Sequence, residues 1–184
     1  MAKVAVVFHS GYGHTQRMAQ SVAHGAGAEL ITIDADGNVP ASAWDTLAAA
    51  DAIIFGSPTY MGSVSWQFKK FADASSKPWY TQAWKDKIFG GFTASANVNG
   101  DKHSTLHYLM TLAMQHGGVW VGTGLIYNNT KASQRSDVNY LASFAGPVAQ
   151  TPGDASGEDM NAGDLETARL FGERIASLAA KSRG

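Results

Sequence analysis

The sequence predicts an α/β fold: a three-layer sandwich in which a five-stranded parallel sheet, in order 2-1-3-4-5, carries helices on both faces. Three observations predict it. Continuous apolar runs, rather than alternating ones, recur along the chain and read as strands buried on both faces. Helical patterns separate them, so the alternation requires right-handed parallel crossovers. The first run also breaks into a Gly/Ser/Thr loop before a helix, which is how α/β proteins build an anion site.

The first strand is Val4-Ala5-Val6-Val7-Phe8, and the loop after it is Ser10-Gly11-Tyr12-Gly13-His14-Thr15. A helix over 14–27 follows through Met18, Ala19, Val22 and Ala23. Its free first-turn N–H groups and positive dipole end favour an anion, Ser10 and Thr15 add hydroxyls, and Gly11 and Gly13 permit close backbone approach. The loop holds no Lys or Arg and the chain has no GxxxxGK[ST], so a monophosphate fits better than a triphosphate. A plain βα turn with two glycines has the same local composition.

Glu29 to Ile33 reads as the second strand, Ala52-Ile53-Ile54-Phe55 as the third, Ile88 to Phe92 as the fourth and Val119 to Gly122 as the fifth. Helices are expected over 42–49, 64–75, 104–115 and 163–181. Ligands in such a sheet sit beyond the carboxyl ends of strands one, three and four. The loop after the third strand, Gly56 to Ser63, offers Pro58, Thr59 and Gly62, with Thr59 as a hydroxyl near the phosphate. Tyr60 and Met61 there give a flat and a polarizable surface for a planar ring. The loop after the fourth, Thr93-Ala94-Ser95-Ala96-Asn97-Val98-Asn99-Gly100, is small and polar and suits backbone recognition of a ring edge. From Thr123 to Ala162 the chain is Gly-, Ser-, Asn- and Pro-rich, with a weak helical pattern near Val138 to Phe144. So long a connection in a small domain is more often functional than idle.

Composition narrows the classes. The 184 residues are 45% hydrophobic and 16% charged with a net charge of −1. They describe one globular domain spanning 1–184, with no electrostatic bias toward nucleic acid or a membrane surface. Absence of Cys removes disulfides, thiol catalysis and Fe–S clusters, and no GxSxG elbow points to a hydrolase. Without a leader or a membrane-length apolar run, a cytoplasmic location is the expectation. His103 and His107 have metal-ligand spacing, but no third ligand accompanies them and no metal is expected.

With these loops in place, the sequence resembles the WrbA-type NAD(P)H:quinone oxidoreductases, a flavodoxin-like FMN-binding family. The resemblance rests on KVAVVFHSGYGHT, on DAIIFGSPTYMGSVSWQFKKFAD, on the HGG before strand five and on the terminal GDLETARLFGERIASLA. It implies FMN as cofactor and NADH or NADPH as electron donor, with a quinone or similar planar acceptor served in a ping-pong cycle. It places the phosphate loop on Ser10, Gly11, Tyr12, Gly13, His14 and Thr15, and the ring-flanking loop on Pro58, Thr59, Tyr60, Met61 and Gly62. Ring-edge contacts fall on Thr93, Ala94, Ser95, Ala96, Asn97 and Asn99. His116 falls near the flavin as the candidate catalytic group, Trp79 lines the acceptor pocket, and Tyr12 approaches the nicotinamide nucleotide. The family often carries Arg-Phe where this chain has Tyr60-Met61, and a longer segment after strand two than 34–40 here. The resemblance implies a homodimer, with a tetramer as the alternative. Two rival functions stand beside it: a flavodoxin-type electron carrier reduced by a partner protein, and a non-catalytic scaffold.

Overall fold

The computed structural model describes residues 2–182. Its central strand β1 (Val4–His9) is buried at all six positions, as a strand covered on both faces must be. It pairs in parallel with β2 (Glu29–Ile33) and β3 (Ala52–Tyr60), Val7 lying opposite both Ile31 and Phe55. Next to β3 comes β5 (Ile88–Ser95), and beyond it β6 (Val119–Trp120), giving the order β2-β1-β3-β5-β6. This is the expected 2-1-3-4-5 arrangement. Successive residues of β1 feed opposite cores. Val4, Val6 and Phe8 pack with Met18, Val22, Phe171 and Ile175, while Ala5 and Val7 pack with Leu47, Phe55, Phe68 and Leu109.

Helices α1 (His14–Ala26) and α6 (Ala162–Ser182) cover the first face. The second is covered by α2 (Ala43–Ala49), α3 (Trp66–Ala74) and α5 (Lys102–Gln115). The expected helix over 64–75 starts later, because residues 60–64 form a hairpin instead. Met61 and Gly62, with φ of 48° and 78°, turn the chain so that β4 (Ser63–Val64) runs back against the end of β3. Trp79 stands on a short helix, α4 (Ser76–Tyr80), rather than on a loop.

The fifth strand departs most from expectation. Only Val119 and Trp120 pair with the start of β5, opposite Ile88 and Phe89. The chain then leaves the sheet and returns at β7 (Val148–Gln150), which pairs with the end of the same strand at Thr93, Ala94 and Ser95. Residues 121–147 are thus an excursion that splits one strand position in two. Its ends close on each other through Thr123 N–H to Phe144 O and Trp120 Nε1–H to Ala145 O. Gly122 and Gly146 make the closure fit, since an added Cβ would lie 2.3 Å from Phe144 O and 2.1 Å from Gly91 O respectively. The helix pattern at 138–144 gives turns, with Asn139 and Ala142 at positive φ. Polar bonds hold this segment: Arg135 grips Asp164 with both guanidinium nitrogens, and Asn139 donates to Leu125 O.

α1 and α6 approach so closely that carbonyls of one face glycines of the other. A Cβ on Gly172 would sit 2.1 Å from Val22 O, and one on Gly25 would sit 1.9 Å from Arg169 O. Alanine gains about 1 kcal/mol over glycine in helix propensity, but forcing the helices apart costs more. Gly172→Ala is therefore expected to lose a net of up to about 2 kcal/mol in urea unfolding, while Gly153→Ala, with open space around its Cβ position, leaves the midpoint unchanged.

Candidate functional site

The loops after β1, β3 and β5 converge at the carboxyl edge of the sheet around a cleft of about 310 Å³. At one end stands the start of α1. Gly13, with φ 90°, turns the chain into the helix without a side-chain cap, and its own N–H donates to Ser10 Oγ at 3.1 Å. The first amides of α1 have no intrahelical acceptors, and no acidic side chain occupies the first turn. His14 lines this end of the cleft, its Nε2–H donating to Ala155 O at 2.7 Å. That bond fastens the phosphate-type loop to the segment after β7.

At the other end Tyr60 packs edge-on to Tyr12, ring centroids 6.3 Å apart, and its hydroxyl lies over Gly11, where an added Cβ would be 2.5 Å away. Met61 is fully exposed at 102% and Tyr12 at 72%, so the cleft opens directly to solvent between them. Pro58 and Gly62 complete this wall and Ala94, Ser95, Ala96 and Asn97 the facing one.

Several residues named from the sequence take other roles. Thr59 lines the cleft, but its hydroxyl is shared with two others. It is buried and lies 2.8 Å from both Thr93 Oγ1 and Thr105 Oγ1, a chain of hydroxyls joining β3, β5 and α5 behind the cleft. Thr93 belongs to that chain and does not wall the cleft, and Asn99 faces a neighbouring groove. Conversely, Thr151, Gly153 and Asp101 line the cleft without having been singled out. Thr151 is 2% exposed and its Oγ1 has no hydrogen-bond partner. The short apolar run Val148-Ala149 before it was the available signal. Ending the fifth strand at Gly122 hid it.

His116 and Trp79 are elsewhere. Both line a second cavity of about 430 Å³ with Tyr108, Leu112 and Gln115. α5 begins beside the cleft and runs back about 21 Å at 1.5 Å per residue, so His116, just past its end, stands at the amino edge of the sheet. Its Nε2 lies 2.9 Å from Ser75 Oγ, and that hydroxyl donates to Ala72 O, so Nε2 carries the proton and Ser75 accepts it. Nδ1 is then a buried acceptor without a partner, and the ring lies against Trp84 at 4.3 Å. Desolvation by burial pulls the His116 pKa down to about 4, keeping the ring neutral. A neutral ring in this tautomer has no second N–H to offer an acceptor within one chain.

Among the described residues no three His, Asp or Glu side chains gather as a metal site, and no helix is long and apolar enough to cross a membrane.

The His116 shift sets an acid limit. Between pH 6.5 and 4 the unfolded chain binds a proton that the native ring refuses, so stability falls as pH drops through that window. The loss is about 3 kcal/mol, and buried His9, shifted in the same direction by desolvation, adds to it. Melting temperatures of His116→Gln are expected to fall less steeply between pH 6.5 and 4 than those of the unmodified chain.

Comparisons with known proteins agree with this architecture. The family model for NADPH-dependent FMN reductases matches residues 36–132. Flavodoxin FldP of Pseudomonas aeruginosa is 54% identical, with 97% of each chain covered. An NAD(P)H dehydrogenase (quinone) of Azorhizobium caulinodans is 33% identical over the whole of both chains. The crystal structure of a WrbA-like flavodoxin from Agrobacterium tumefaciens superposes with a TM-score of 0.81 at 53% identity, covering 98% of this chain and 99% of that one. On sequence and architecture together, the chain belongs to the WrbA-type, flavodoxin-like family of FMN proteins.

Proposed function

We propose that the cleft binds FMN and that the protein passes two electrons from NADH or NADPH to a quinone or similar planar acceptor. The observation that carries this reading is a single cleft with both halves of the ligand's chemistry. Free helix amides meet Ser10 and Thr15 at one end, and a solvent-open slot between aromatic and backbone walls lies at the other. The unpartnered Thr151 hydroxyl in the wall fits a polar ligand better than an apolar one.

The α1 amides and the Ser10 and Thr15 hydroxyls hold the phosphate, its charge favoured by the helix dipole rather than by a cation. Tyr60 and Met61 would flank one side of the ring, and the backbone of Ala94 to Asn97 would meet its edge. Bound there, FMN would supply the redox chemistry, a two-electron exchange first with the nucleotide and then with the acceptor. Tyr12 and Met61 leave the slot accessible, so donor and acceptor use it in turn. Because Trp79 and His116 stand at the far edge of the sheet, their role toward the acceptor requires a second copy of the chain. A homodimer that sets one copy's Trp79–His116 cavity against the other's cleft satisfies it. Relatives at 31–33% identity named NAD(P)H dehydrogenase (quinone) support the donor and acceptor.

A second reading is an electron carrier reduced by a partner protein. It is favoured by the 54% identical relative named a flavodoxin and by the separation of Trp79 and His116 from the cleft within one chain. A net charge of −1 gives it little means of steering to a basic partner.

An anaerobic titration separates the two. The FMN-loaded protein is expected to lose its flavin absorbance on adding NADH or NADPH and to regain it with benzoquinone. Tight FMN binding with no bleaching by either nucleotide assigns the carrier instead. Ser10→Ala is expected to weaken FMN about tenfold, the worth of one charge-assisted hydrogen bond, and to leave riboflavin affinity unchanged. Fluorescence titration with both ligands checks it.

A further inference from the structure

Lys102 opens α5, yet its side chain turns away from solvent and is only 3% exposed. Its ammonium reaches the carbonyl oxygens of Asn97, Val98 (3.0 Å) and Asn99 (3.3 Å), three consecutive peptides of the loop after β5. The carbonyl before them, Ala96 O, accepts from Gln150 Nε2 at 2.8 Å. Four successive carbonyls are thus gathered chiefly by the ammonium and Gln150, with Ser95 Oγ also donating to Asn97 O at 3.2 Å and the Lys102 backbone N–H to Asn99 O at 3.3 Å. A trans peptide points its N–H opposite its C=O. The amides of Val98, Asn99 and Gly100 therefore face away from the ammonium, and among the described residues none of them donates to a protein acceptor. This loop is the partition between the cleft, which Ala96, Asn97 and Gly100 line, and the groove, which Val98, Asn99 and Lys102 line.

Among the described residues the ammonium has no ion pair. Asp164 is near enough to act on it electrostatically, but that carboxylate is gripped by Arg135, and the guanidinium opposes its effect. Net positive charge therefore remains directly behind the loop. Burial lowers the Lys102 pKa to about 8, still charged at neutral pH.

We propose that Lys102 is a positioning residue that templates the ring-edge loop: it draws the carbonyls of Asn97, Val98 and Asn99 inward, fixes the backbone of Ala96, Asn97 and Gly100 at the cleft wall, and sets both the grip on the flavin ring and its reduction potential. The proposal rests on the FMN reading above. Outward N–H dipoles and the ammonium behind them act in one direction, favouring negative charge at the ring edge. The reduced ligand, the more negative form, is held tighter than the oxidised one.

The test compares FMN and riboflavin binding and the two-electron potential in the unmodified protein and in Lys102→Met, Lys102→Arg and Gln150→Leu. Lys102→Met is expected to weaken both ligands by the same factor, tenfold or more, because the phosphate end is untouched. It should weaken the reduced ligand a further tenfold, a fall of about 30 mV in potential. Lys102→Arg, which keeps the charge, is expected to recover most of that potential. Gln150→Leu releases one carbonyl without changing charge, so it weakens both ligands and leaves the potential in place. It decides the templating role even if Lys102→Met does not fold. Affinities within twofold of the unmodified protein, at unchanged potential, in a folded Lys102→Met overturn the proposal. So does unchanged ring affinity in Gln150→Leu. Failure of the unmodified chain to bind either flavin overturns the FMN reading instead, which keeps the two apart.

Discussion

The structure depends on the pairing of β5 along both its edges. This strand is shielded on both faces, so each of its backbone N–H and C=O groups needs a partner, and water cannot serve. β3 satisfies one edge over seven successive register positions. The other edge is satisfied in two instalments by β6 and β7. That second arrangement brings Thr151 to the cleft and Gln150 to Ala96, and it seats the terminal helix against α1. Had the edge been closed by one unbroken strand, residues 150–155 would have no fixed relation to the phosphate-type loop.

How far this was legible in the sequence follows from the kind of signal each part leaves. β1, β3 and β5 write themselves as apolar runs because both faces are buried, and Ser10 to Thr15 writes a helix start because glycines and hydroxyls cluster there. Strand order follows from the parallel crossovers. The split strand leaves almost no signal: β6 is two residues and β7 three, below the length at which pattern separates from chance. Side-chain commitment is equally silent. Thr59 reads as a free hydroxyl, yet Thr93 and Thr105 claim it from strands and helices far away in sequence. His116 reads as a flavin neighbour, yet the length of α5 carries it to the opposite edge. Lys102 leaves no signal in the sequence, because only the fold of the preceding loop shows what its ammonium reaches.

The cleft is built with little side-chain charge. Its phosphate end relies on backbone amides and hydroxyls, its ring edge on peptide groups, and the nearby cation stands behind the backbone rather than in the cavity. Such a site changes its electrostatics through backbone orientation, so residues outside the lining govern it. The same economy appears in the second cavity, where a neutral imidazole and a Trp84 ring share a dry contact and leave polar atoms unpaired.

The closed base of the 121–147 excursion has an engineering consequence. Its two ends meet through backbone bonds at Thr123 and Phe144, so its outer turns around Asn129 and Thr130 hang from a fixed gate. Chain length there is uncoupled from the register of β7. A fluorescent domain or affinity handle grafted into that tip would ride on the protein without stretching the strand that carries Gln150 and Thr151. With no native cysteine in the chain, a single introduced thiol at the same tip would give one addressable point for a surface or a dye.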